Sequence, residues 1–159
     1  MFDEILISSE RSNFYKIFSS VNDIPKPIRI KLHKINVPFG MEEYNNKYII
    51  NFEMNDSKNC INYINSIKKL EKNICNLIEV ENLEIKSVLN ERNDLPILSR
   101  AYIKKNRNKI ITIFSDENKE CSIFEMKKNT LYDVEIEISG IWRYNNTGGL
   151  FLNIISLKK

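Results

Sequence analysis

Hydrophobic and polar residues alternate through Ile28-Arg29-Ile30-Lys31-Leu32, and the strand this predicts runs over 28–35. A period of two belongs to a strand with one buried face, because successive side chains point to opposite sides. Residues 48–54 read as a second strand, with Asn45-Asn46 before it as a turn. The two strands form a hairpin-like pair with a long loop, bent at Pro38-Phe39-Gly40. The period then changes. Apolar residues at Ile61, Ile64, Ile67, Leu70, Ile74, Leu77 and Ile78 follow helical spacing and predict a helix over about 57–78. Asp56 or Ser57 caps it, and Lys58, Lys68, Lys69, Glu71 and Lys72 fall on its polar side.

Strand patterns resume at 84–89, 97–104, 109–114, 122–126, 132–138 and 150–157. Turns at Asn106-Arg107-Asn108 and from Asn145 to Gly149 separate some of them. Parallel pairing throughout would need a crossover helix at each step, and one helix cannot supply them. The sheet is therefore mainly antiparallel. The expected fold is an OB-like (oligonucleotide-binding) small antiparallel barrel with one inserted α-helix, which leaves no long open edge. A β-sandwich is the alternative. Residues 28–159 make the barrel domain. Residues 1–27 precede it as an N-terminal arm or short helix, mixing Phe2, Ile5, Leu6, Phe14, Tyr15, Ile17 and Phe18. Ser12 is placed to cap a helix over 13–21, and Pro25 and Pro27 break any helix beyond it.

Composition narrows the class. A chain of 159 residues with 42% hydrophobic and 28% charged residues fits one domain with its own core. The net charge of +3 is mild, so only its distribution can point to a polyanion. No stretch approaches the roughly 20 apolar residues of a membrane-spanning helix. The acidic start Met1-Phe2-Asp3-Glu4 argues against a secretory leader, so a protein that is not secreted is expected. Cys60, Cys75 and Cys121 are odd in number and lack a CxxC spacing, which suits reduced thiols used in packing. The abundance of Ile, Asn and Lys reads as an A/T-rich coding sequence.

Catalytic chemistry finds little support. The single histidine, His33, lies on the polar side of a predicted strand without a nucleophile motif, and reads as a solvated surface residue. Asp133, Glu135 and Glu137 share one strand face and could hold Mg²⁺ in a nuclease, although a soluble charged face is the plainer reading. No phosphate-binding glycine loop occurs. No enzyme activity and no cofactor are expected.

Binding chemistry is better represented. From 95 to 115 the chain carries Arg100, Lys104, Lys105, Arg107 and Lys109, no acid, and Tyr102 among them. Cations neutralise phosphates and flat rings stack on bases, the two needs of a single-strand binder. Trp142-Arg143-Tyr144, followed by Phe151, makes either a stacking platform or a core plug. The loop from Pro38 through Tyr44 to Lys47 and Tyr48 also has rings and a lysine, but Glu42 and Glu43 weaken it. It is expected to fold back on the barrel.

The order Pro38-Phe39-Gly40, the 48–54 strand, the helix with Leu70-Glu71, Leu95-Pro96-Ile97-Leu98 with Arg100, Ile138-Ser139-Gly140-Ile141-Trp142 and Gly149-Leu150-Phe151 resembles a known family. It is similar to the OB-fold single-stranded-DNA-binding proteins of giant nucleocytoplasmic DNA viruses, themselves remotely related to those of podoviral phages. The resemblance covers about residue 28 to the C-terminus. It implies a viral DNA replication, recombination or repair protein that coats exposed strands without a cofactor, with viral replication proteins as partners. Host cytoplasm (the viral factory) or nucleus would be its location. The podoviral proteins carry an acidic C-terminal tail, whereas this chain ends Leu157-Lys158-Lys159, so recruitment through such a tail is not expected. The alternative is a viral protein-interaction or virion structural domain on the same fold. A homodimer fits either.

Overall fold

The computed structural model describes residues 4–11 and 13–159. In chain order the strands are β1 (Ile5–Arg11), β2 (Phe14–Val21), β3 (Ile24–Lys26), β4 (Ile28–Val37), β5 (Met41–Tyr44) and β6 (Lys47–Glu53). The helix α1 (Lys58–Leu77) follows, then β7 (Glu84–Ile85), β8 (Leu89–Arg92), β9 (Leu95–Ile103), β10 (Lys105–Asn106) and β11 (Lys109–Ile110). The chain closes with β12 (Ile113–Asp116), β13 (Lys119–Cys121), a 3-10 turn (Ile123–Glu125), β14 (Thr130–Tyr144) and β15 (Thr147–Lys158).

Five strands close into a ring, β14-β4-β6-β9-β15 and back to β14. Four of the joints are antiparallel, and β9–β15 is parallel, at Tyr102↔Asn153 and Ile103↔Ile154. The joint between β4 and β6 is narrowest, held by the single pair Asn36↔Glu53. This is the expected OB-like barrel with one inserted helix. Inward positions carry Leu32, Ile35, Ile50, Phe52, Ala101, Val134, Ile136, Ile138, Leu152 and Ile154, each at most 3% exposed. Burial of one such large side chain is worth about 1.5–3 kcal/mol, so this interior is the main source of stability.

The helix begins where the Ser57 hydroxyl accepts the Cys60 N–H at 3.2 Å. Cys60, Tyr63, Ile67, Leu70 and Ile74 are its buried apolar residues. The Tyr63 hydroxyl pairs with the Ser99 hydroxyl of β9 at 2.8 Å, and both are fully buried. Burial pushes the Tyr63 phenol well above the ordinary tyrosine range. Glu71, expected on the polar side, is buried instead. It lies four residues after Ile67 and three before Ile74, hence on their face. Its carboxylate accepts the Ser87 hydroxyl at 2.6 Å and the Val88 N–H at 3.0 Å, fastening the segment before β8 to the helix. Ile61, expected inward, is 48% exposed.

Other local expectations are corrected. The helix considered over 13–21 is strand β2, while Ser12, its supposed cap, lies outside the described residues. β2 pairs with β1 and with the end of β14. The strand expected over 122–126 is the 3-10 turn, closed by a reciprocal Ser122–Glu125 capping box. The expected 109–114 strand is broken at Thr112. Its hydroxyl accepts the Lys104 N–H at 2.8 Å and donates to the Ile154 carbonyl at 2.5 Å. The expected 84–89 strand is split in the same way, into β7 and the start of β8.

Hairpins turn at Asn22-Asp23, Asn45-Asn46, Arg107-Asn108 and Glu117-Asn118, with positive φ at both central residues. That pair of signs suits the right-handed twist of flanking strands. Asparagine tolerates it better than other side chains, and eight of the fourteen non-glycine positive-φ residues among those described are Asn. The many asparagines thus have a structural use.

Candidate nucleic-acid interface

Residues paired across neighbouring strands share a face of the sheet. Along the first half of β14 the outer face carries Asp133, Glu135 and Glu137, opposite basic residues of β4, with Arg29↔Glu137 and Lys31↔Glu135 as register partners. Arg29 reaches Glu137 at 3.1 Å and Glu135 at 3.7 Å, and Lys31 reaches Glu135 at 3.8 Å. Asp133 accepts the Lys34 N–H at 3.0 Å and lies 3.5 Å from the exposed His33 ring. The acidic row is therefore one side of a ladder of ion pairs. Among the described residues no group of three or more His, Cys, Asp or Glu is placed to hold a metal ion.

A different outer face runs across β5, β6, β9, β15, the second half of β14, and β2. Its register follows from Tyr44↔Lys47, Ile49↔Tyr102, Asn51↔Arg100, Tyr102↔Asn153, Phe151↔Gly140 and Trp142↔Phe14. Tyr102 and Phe151 stack with ring centres 5.0 Å apart and planes 18° from parallel. Phe14 meets Phe151 edge to face at 5.8 Å. Gly140 makes this possible: a Cβ there would stand 2.5 Å from the Phe14 ring. Gly149 plays the same part under Trp142, where a Cβ would stand 3.0 Å from the indole nitrogen. Cations interleave with the rings. The Lys47 ammonium lies 5.3 Å from the Tyr102 ring centre and 5.6 Å from that of Phe151, and the Arg100 guanidinium lies 5.7 Å from that of Tyr44.

Of the residues expected to form a site, Arg100, Tyr102, Trp142 and Tyr144 lie on this face. Tyr102 and Trp142 are half-buried and Tyr144 is 67% exposed. Lys104 borders it, with its ammonium 3.8 Å from Glu137. Arg143 alternates to the opposite side of β14, where it pairs with Gly148. Lys105 belongs to another cluster: its ammonium lies 4.3 Å from the Tyr48 ring centre, and Phe124 meets Tyr48 edge to face at 5.5 Å. Arg107 and Lys109 are exposed in the β10–β11 ribbon, a separate two-stranded sheet.

Sequence reasoning discounted Tyr44 and Lys47 because Glu42 and Glu43 sit beside them. Glu42 is occupied, accepting the Asn51 amide at 2.8 Å, and the tight β5–β6 hairpin sets Tyr44 and Lys47 together on the outer face. The reading of residues 1–27 as an arm or short helix leaves Phe14 out of the expected site. The alternation Phe14-Lys16-Phe18 against Tyr15-Ile17-Ser19 was present but masked by apolar residues on both sides.

The class is thus an OB-like barrel with an outer band of rings and cations across its second and third strands. No protein-family model matches this sequence, and no curated protein matches it. Solved structures do share the fold. gp2.5, a single-stranded DNA binding protein encoded by bacteriophage T7, superposes with a TM-score of 0.58 at 10% identity, over 84% of this chain and 86% of its own. The single-stranded DNA-binding protein from bacteriophage Enc34, solved in complex with single-stranded DNA, superposes at 0.59 and 14% identity, over 99% of this chain and 95% of its own.

Proposed function

We propose that this protein binds single-stranded DNA along the β6–β9–β15 face, largely without reading its sequence, in the replication, recombination or repair of a viral genome. The observation that carries the reading is the continuous band Tyr44, Lys47, Arg100, Tyr102, Phe151, Phe14 and Trp142 on one side of the barrel. In OB folds generally, the outer face of the second and third strands and the loops after the first and fourth strands receive oligonucleotides. Here those strands are β6 and β9; Tyr44 ends β5, in the connection between β4 and β6, and Tyr144 ends β14, beside the turn into β15. The shared fold of the two phage proteins supports the same reading.

Magnitudes decide how a base would enter. Lys47 covers Tyr102 and Phe151, a cation–ring contact worth about 0.5–1 kcal/mol at an exposed site. A stacked base is worth about 1–3 kcal/mol. The base wins the ring, and Lys47 moves to a phosphate. With Lys47 and Arg100 on phosphates, the logarithm of the binding constant falls against the logarithm of salt with a slope of about −1.4. Titration of labelled oligo-dT at two salt concentrations tests this. Binding that weakens with salt supports the reading, and no binding at low salt rejects it.

One observation favours a second reading, a protein-interaction domain. A hollow of about 660 Å³ beside the start of α1 is edged by Ile61, Leu95 and Leu131, each at least 48% exposed. A stable complex with a viral protein that forms without oligonucleotide affinity would favour it.

A further inference from the structure

Beside the aromatic band lies a notch with a definite structural cause. β14 pairs with β4 as far as Ile138↔Ile28 and with β2 from Gly140↔Lys16, and a bulge falls between Ile138 and Gly140. Where one neighbour gives way to the other, the sheet surface opens into a pocket of about 320 Å³. That is near the lower end of the range for small-ligand sites. Phe14, Phe18 and Phe151 line it with apolar surface, and Lys104, Glu137, Ser139 and Asn153 line it with polar groups.

The polar groups form a fixed chain. The Asn153 amide donates to Ser139 Oγ at 2.9 Å, and the Ser139 hydroxyl donates to Glu137 Oε1 at 3.1 Å. Arg29 Nε donates to Glu137 Oε2 at 3.1 Å, and the Lys104 ammonium lies 3.8 Å from Oε1. These contacts fix the direction in which the Glu137 carboxylate points. An ionised carboxylate only accepts, and its two oxygens offer about four acceptor sites, so capacity remains. The pocket thus sets an acceptor beside a cationic donor, between aromatic surfaces, next to the Tyr102–Phe151 stack.

We propose that this pocket takes one base of the bound strand and favours cytosine over thymine; the proposal rests on the single-stranded-DNA reading above. The two pyrimidines are alike in size and stack alike. They differ at the edge that the carboxylate would meet. Cytosine presents an amine donor at N4, which Glu and Asp accept, and thymine presents a carbonyl at O4. Glu137 attracts the first and repels the second. Lys104 can then donate to the ring carbonyl at O2, which both bases carry. The preference is local, so it biases an otherwise sequence-tolerant interface.

Titration of labelled oligo-dC and oligo-dT of one length against the full chain tests this, together with an oligo-dC whose N4 amines are dimethylated. Oligo-dC is expected to bind about tenfold tighter than oligo-dT, and dimethylation removes the advantage. In Glu137→Gln the dC-to-dT affinity ratio falls toward one. The modified oligonucleotide uses the unaltered protein, so the test survives if that variant folds poorly. Equal affinity for oligo-dC and oligo-dT, or a preference that survives dimethylation, overturns the pocket while leaving the binding face intact. Failure to bind any of the three overturns both.

Discussion

The two halves of β14 lead different lives on the outside of one barrel. Through Asp133, Glu135 and Glu137 the strand faces the cations of β4, and the charges pair across the register. Past the bulge at Ile138/Gly140 its neighbours become β2 and the glycine-bearing start of β15, and the same face carries rings. The first half spends its cations on its own carboxylates. On the second face Lys47 and Arg100 lie over aromatic rings, contacts that a base or phosphate can displace. Charge content does not separate the regions. What separates them is whether the fold has already matched each charge with its opposite.

Substitutions can break that contrast. The largest effect is expected from Tyr102→Ala, which removes half of the stacked pair: oligo-dT affinity should fall by about 1–3 kcal/mol, read by titration at fixed salt. Loss of this ring with unchanged affinity would place the interface elsewhere. Next comes Tyr63→Phe, which leaves the buried Ser99 hydroxyl without its partner and should lower unfolding stability by about 1–3 kcal/mol in urea, with DNA affinity unaffected in the folded protein. Lys47→Ala should reduce the salt slope of binding by about 0.7, the signature of one phosphate contact on a single strand. The smallest effect belongs to the ladder. Glu135→Gln should change stability by less than about 1 kcal/mol and leave oligo-dT affinity unchanged, since paired surface charges contribute little.

The buried Glu71 gives a pH test independent of DNA. Burial raises its carboxyl above the ordinary 4.5, against the opposing pull of the Ser87 and Val88 hydrogen bonds. The folded chain therefore holds that proton more tightly than the unfolded chain. Stability from this group is greatest below the unfolded value and falls as pH rises through the folded one. The stability of wild type relative to Glu71→Gln should decline as pH rises from about 4.5. A flat difference across that range would contradict the assignment.

Much of the barrel was legible because its strands are half-buried. Leu32 and Ile136 alternate with polar neighbours, and the helix repeats at Ile67, Leu70 and Ile74. The errors have local causes. Glu71 looked polar and was read as exposed, although its position in the turn puts it on the buried face. β2 carries apolar groups on both sides because one side meets the core and the other joins the aromatic band, so its alternation is blurred. The band itself was only half visible. Tyr102 and Trp142 were legible as candidates, but Phe14 and Phe151 meet only because β2 and β15, from opposite ends of the chain, pair on either side of β14 at Gly140. No spacing rule reports a contact of that kind.

Trp142 is the single tryptophan and lies on the proposed face, opposite Phe14 in register, so its emission is a direct reporter of what happens there. Adding oligo-dT at low salt should quench that emission to saturation, and added salt should restore it. Oligonucleotide binding seen by another method while Trp142 emission stays constant would contradict the account.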